Sequence, residues 1–177
     1  MPQSITEALA EIKTISKRLE KKREFVLANL GRMDGIRDPF EAQGGAVAMV
    51  RAERQAIGDL EARVVAIRHA IARANSSETL VINGVSRSIA DWLAWRREVA
   101  PGQQAFLGRI RQQLGAFRSQ ARQHNFTVLA PGQSGQMNDI TLHVDELGLA
   151  KEIDQIEDTL GQLDGLLSLK NATVIVD

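Results

Sequence analysis

Rows of apolar residues seven apart run through the first 74 residues, and they limit the fold more than any other feature of the chain. Ile5, Ile12, Leu19 and Val26 form one row, with Ala8 and Ile15 interleaved until Lys22 and Asn29 break the second row. Farther on, Val50, Ile57, Val64 and Ile71 repeat the pattern, and Leu60, Ile67 and Ala74 interleave with them. Such a repeat keeps one stripe of a helix facing a partner helix over many turns. Ser4, with Glu7 three residues later, has the spacing of a capping box and starts the first helix. Gly31 and "MDGIRDPF" end it and open a loop to about Gly45. A second helix is expected over Ala46–Ala74. At ~1.5 Å rise per residue each helix is about 40 Å long, and the pair should fold as an antiparallel hairpin.

The rest of the chain alternates strand-like and helical stretches. An Asn followed one residue later by Ser or Thr occurs at Asn75, Asn125 and Asn171, each time after an apolar-periodic run and before residues that favour strand. Asn tolerates the left-handed conformation that ends a helix, so all three are expected to be helix stops. The spacing also matches a glycosylation acceptor, but no secretory signal precedes it. "TLVI", Asn83-Gly84 and "VSRS" read as a tight β-hairpin. Ser88 and Asp91 start a third helix, which Pro101-Gly102 should kink or break. It resumes with Phe106, Ile110, Leu114, Phe117 and Ala121 on one face. "FTVLA" and "DITLHV" are strand-like around the flexible "PGQSGQMN". Asp145 then caps a last helix striped with Leu149, Ile153, Ile156, Leu160, Leu163 and Leu167, and "ATVIV" is a terminal strand.

The expected fold is therefore mainly α: an elongated antiparallel helical bundle of four principal helices with short strands at its two poles. It forms a single domain over 1–177, with a helical hairpin over 1–74 and a β-hairpin, two further helices and a terminal strand over 75–177. If the helices run up and down, the strands after Asn75 and Asn171 meet at one pole and pair there.

Charge is segregated. Residues 1–125 hold 20 Lys/Arg and 13 Asp/Glu, whereas residues 126–177 hold 2 and 9, so the neutral whole conceals a basic body and an acidic end. The plainest reading is a basic body packed against an acidic last helix. A basic face for nucleic acid, through Arg109, Arg111, Arg118 and Arg122, is the runner-up; it lacks interleaved aromatics. The absence of Cys leaves no disulfide or thiol chemistry and suits a reducing compartment. No apolar run approaches the ~20 residues of a membrane span, so a soluble protein made in the cytoplasm is expected.

No chemical motif stands out. His69, His124 and His143 have no metal-ligand spacing. Glu152, Asp154, Glu157 and Asp158 fall on outer positions of the last helix, where a solvated face is the natural reading. Ser134 in "GQSG" lacks the strand-turn-helix setting of a nucleophile. No glycine-rich phosphate loop is present. Neither catalytic residues nor a metal or cofactor is expected. Trp92 and Trp95 lie three apart on one helix face beside Arg96 and Arg97; they read first as core, and second as a protein-contact anchor, because Trp and Arg are favoured at hot spots. The terminal Thr173, Val174, Ile175 and Val176 are further contact candidates, since a strand edge can pair with another chain.

Over about residues 45–177 the chain resembles a helical family of tailed phages and prophages, itself similar to septicolysin-like bacterial proteins. The matching residues are Asn75, Thr79, Asn83, Gly84, Ser88 and Asp91 in the middle of the chain, and Val144, Asp145, Gly148 and Leu149 at the last helix entry. Leu163, Asp164, Leu167, Asn171, Ala172, Thr173 and Ile175 match at its exit. Asp91 stands where the family more usually has Glu. The resemblance implies a non-enzymatic structural or assembly protein of the virion, in the capsid, neck, tail or baseplate. Its partners would be other virion proteins or copies of itself, with no small-molecule substrate, nucleic acid or membrane. The alternative is a cytoplasmic coiled-coil adaptor or nucleic-acid-associated helical protein.

Overall fold

A computed structural model describes residues 2–176 and is mainly α-helical, with four principal helical runs and a few short strands. The chain clusters into two compact units, the first reaching to Glu78 and taking in the residues from Ser168 onward, the second spanning Thr79–Leu167.

In the first unit, strand β1 (Gln3–Ser4) leads directly into helix α1 (Ile5–Ala28). The capping box is present: the Ser4 hydroxyl accepts from the Glu7 N–H at 3.2 Å, and the Ser4 N–H donates to the Glu7 carboxylate at 2.8 Å. The Ser4 N–H foremost, and then the Ser4 hydroxyl donating to the same carboxylate at 3.1 Å, hold the Glu7 carboxyl below its ordinary pKa. A 3-10 turn at Glu41–Gln43 precedes helix α2 (Ala46–Ser77). Ile5, Ala8, Ile12, Ile15 and Leu19 are buried against Ile67, Ala70 and Ile71, with Ile57, Leu60 and Val64 partly buried beside them. This is the heptad seam. Ion pairs flank it: Arg63 grips Glu11 at 2.8 Å and Lys22 meets Glu53 at 2.7 Å, so positions later in α1 face positions earlier in α2, as an antiparallel pair requires.

The second unit opens with strands β2 (Thr79–Ile82) and β3 (Val85–Ser88), an antiparallel hairpin. Asn83 and Gly84 both take positive φ, 50° and 77°, as a type I′ turn demands. Ser88 caps helix α3 (Ile89–Ala94), which passes through a π-helical turn, Trp95–Val99, into helix α4 (Ala100–His124). Strands β4 (Val128–Leu129) and β5 (Ile140–Thr141) pair in parallel, and helix α5 (Glu146–Thr173) follows, its last residues belonging to the first unit. Strand β6 (Ile175–Val176) completes the first unit. One cluster of the second unit joins Leu80, Ile82, Ile89, Trp92, Leu163 and Leu167; another joins Leu107, Leu114, Leu142 and Leu149.

Several expectations need correction. Of the three Asn stops only Asn125 ends a helix, at φ 56°. Asn75 lies inside α2 and Asn171 inside α5. Both helices run on past their Asn, closing with backbone bonds from the Glu78 N–H to the Ala74 carbonyl at 2.9 Å and from the Val174 N–H to the Lys170 carbonyl at 2.8 Å. The terminal strand does not pair with the segment after Asn75. It pairs antiparallel with β1, Ser4 opposite Ile175 and Gln3 opposite Val176, because Val176 has an apolar seat in the hairpin core. Pro101 does not break its helix. A proline lacks the N–H and crowds the carbonyl one turn back; the π turn before it, where the Ala100 N–H reaches the Trp95 carbonyl, opens the ladder enough to absorb the misfit. In α4 the buried row is Leu107, Leu114 and Ala121, and Phe106 stays 63% exposed.

Candidate functional site

Trp92 and Trp95 receive their positions from local sequence. The Asn83-Gly84 turn aims β3 back along β2. Ser88 then accepts from the Asp91 N–H at 3.1 Å and starts α3 one turn before Trp92. Trp92 is buried, and its indole N–H donates to the Leu80 carbonyl at 3.2 Å, the bond a buried indole requires. Its place is therefore the core. Trp95 is half-buried and meets Trp92 edge to face, centroids 5.7 Å apart at 89°. The Arg87 guanidinium lies 4.9 Å from the centre of the Trp92 ring, within cation–π range. Arg96 is held by Asp164 at 2.8 Å on the surface.

These rings line one side of a cleft of about 400 Å³ that also takes in Phe106, Gln103, Leu107, Glu152, Gln155 and Ile156. One carboxylate, one guanidinium, one hydroxyl, two side-chain amides and three aromatic rings line it, a set suited to holding an apolar or aromatic side chain. The Asn83 side chain anchors the hairpin to α5 near this cleft: its amide nitrogen donates to the Thr159 hydroxyl at 3.0 Å, and its oxygen accepts from Gln162 at 3.0 Å. Reading the Asn-Gly pair only as a turn missed that second role. Phe106 and Arg87 were likewise not singled out as contact residues, since neither has a motif. The only signal for Phe106 was its offset from the 107–114–121 heptad.

The terminal candidates belong to the first unit. Thr173 is the exposed last residue of α5. The Val174 carbonyl accepts from the Ile5 N–H at 3.1 Å. Ile175 points outward, 55% exposed, while Val176 is buried. The structure thus assigns Trp92 and Val176 to cores, leaves Trp95 half-buried against the Trp92 cluster, and leaves Phe106, Arg96 and Ile175 exposed.

Other ionisable groups serve architecture where the structure gives them partners. Asp139 closes the segment between β4 and β5 by accepting from the Gln136 N–H at 2.7 Å and the Thr127 N–H at 3.2 Å, which holds its carboxyl below the usual range. Gly135 packs so closely there that a Cβ would lie 2.2 Å from Leu129 Cδ1. In the arginine series Arg118 pairs with Glu146. Among the described residues no three His, Asp or Glu are grouped to hold a metal, and no described helix is long and apolar enough to cross a membrane. Comparison with family models, curated proteins and solved structures finds no match.

Proposed function

We propose that this chain is a non-enzymatic structural and assembly protein acting through protein–protein contacts, and that it is a component of a tailed-phage particle. The observation that carries the contact reading is Phe106. It stands 63% exposed beside Trp95 on the rim of the aromatic cleft. Covering a large apolar side chain is worth about 1.5–3 kcal/mol, a gain that folding leaves for a partner to collect. The phage assignment rests on the resemblance over residues 45–177, and its partners would be other virion proteins or further copies of the chain.

Particles purified from an induced host should contain the protein in fixed stoichiometry. Phe106→Ser, an exposed change, should leave helicity intact and reduce incorporation. Gene neighbours encoding capsid, portal or tail proteins support the same reading. Particles free of the protein would end the phage assignment, and normal incorporation of the Phe106 variant would remove the cleft from it. The antiparallel seam of α1 and α2 favours the second reading, a cytoplasmic coiled-coil adaptor, for which the protein stays in the cell fraction.

A further inference from the structure

The connection between α1 and α2 is not a slack loop. The Phe25 and Phe40 rings meet edge to face, centroids 5.5 Å apart, and pin its far side to α1. Asp38 closes its near side, one carboxylate oxygen accepting from the Phe40 N–H at 2.9 Å and the other from the Ala46 N–H at 2.8 Å. The second bond caps α2, whose own N-cap, Gly45, has no side chain to offer. Both bonds hold the Asp38 carboxyl below its usual pKa, the Ala46 bond contributing most.

On this ordered frame the apolar residues point the wrong way for a core. Leu30, Ile36 and Val47 are 69%, 57% and 76% exposed, and Leu27 and Met33 beside them are 68% and 77% exposed. Leu30, Ile36 and Val47 border a cleft of about 890 Å³ between the end of α1 and the start of α2. It is also lined by Arg51 and Arg54, one helical turn apart on α2, and among the described residues neither has an ion-pair partner. Arg32, also on the cleft, donates to the Ile36 carbonyl and lies near enough to Asp38 to help lower its pKa. The one acid lining the cleft, Asp38, already spends both oxygens on backbone N–H groups. The cleft is apolar and cationic.

We propose that this tip of the hairpin is a docking site for an acidic, apolar segment of another protein, two or three large apolar side chains seating in the cleft while carboxylates meet Arg51 and Arg54. Bidentate pairing of guanidinium with carboxylate supplies the orientation, and the apolar contacts supply most of the affinity. A lipid surface fits less well, because the apolar side chains and the Arg51 and Arg54 guanidinium groups line a cleft, which takes a segment of chain better than a flat headgroup layer. A second copy of this chain fits less well too. Its acidic run, Glu152–Asp158, alternates with Ile153 and Ile156, which are partly buried in their own core and leave no free apolar row. The tip shares no residue with the aromatic cleft, so either surface can fail without the other.

The test uses the full-length protein, immobilised, to select from a random dodecapeptide library, with the best binder then titrated by fluorescence anisotropy. Selected peptides should combine Asp or Glu with Leu, Ile or Phe. Their affinity should fall at least about tenfold in the Arg51→Glu/Arg54→Glu variant, whose melting curve should match the parent, and should also fall in Val47→Asp. The proposal is overturned by an unproductive selection, by peptides without acidic enrichment, or by binding indifferent to the arginine reversal. It is equally overturned if the arginines instead govern binding to phosphatidylglycerol vesicles or concentration-dependent self-association in sedimentation.

Discussion

The two units reach stability by different means. In the first, one uninterrupted seam of Ile, Leu and Ala between α1 and α2 provides the core, and its neighbours repeat every seven residues. In the second, two small clusters are assembled from a β-hairpin, a tryptophan, a π turn and the face of α5. A seam distributes burial over many similar contacts, so a single loss is shared unless it introduces charge. A small cluster concentrates burial in a few large side chains, and specific hydrogen bonds decide whether they sit correctly.

The comparison breaks most sharply with a charge in the seam. Ile67 is 3% exposed, and Ile67→Asp should cost more than about 4 kcal/mol, enough to unfold the hairpin, because an unpaired carboxylate is buried. Ile57→Asp should also destabilise severely but less, since Ile57 only flanks the buried row. Thermal melts followed by circular dichroism would rank the two, and an unchanged melt for Ile67→Asp would mean the seam is not a core.

Next comes the second unit. Trp92→Ala should cost about 3–5 kcal/mol through the cavity it leaves in a cluster of few members. Trp92→Phe should cost clearly less, yet still lose the indole N–H bond to the Leu80 carbonyl, a loss on the order of 1 kcal/mol. Equal effects in urea denaturation would show that the indole N–H contributes nothing.

Ending the chain at Thr173 removes the partner of β1 and uncovers Ile5 and Ala8. The expected loss is about 1.5–3 kcal/mol, roughly the burial of Val176. The truncated protein should stay helical, and hydrogen exchange should speed up at the start of α1. If exchange there is unchanged, the β1–β6 pair is incidental.

The smallest effects separate the asparagines. Asn125→Ala should cost about 1 kcal/mol, because alanine resists positive φ, while Asn125→Gly should be close to neutral. Asn75→Ala should instead raise the melting temperature slightly. Asn75 is helical, its side-chain oxygen is buried without a hydrogen bond, and Ala is the better helix former. Destabilisation by Asn75→Ala would restore its role as a terminator.

The sequence by itself determined what depends on neighbours along the chain. Ser4 and Glu7, Ser88 and Asp91, and Asn83 and Gly84 act over three residues or fewer, and each structure they imply is present. The helical hairpin was legible because a seven-residue period has only one economical burial. Tertiary structure decided the rest. Near the ends of α2 and α5 Glu78 meets Lys170 at 2.5 Å, a pairing 92 residues apart in the chain that no local signal announces. Which strand takes β6 depends on the apolar seat that the α1–α2 seam offers Val176. The surfaces left open, Phe106 in one unit and the Leu30–Val47 cleft in the other, were invisible for the same reason. Periodicity identifies residues that can be buried, whereas only the assembled chain shows which apolar residues found no partner.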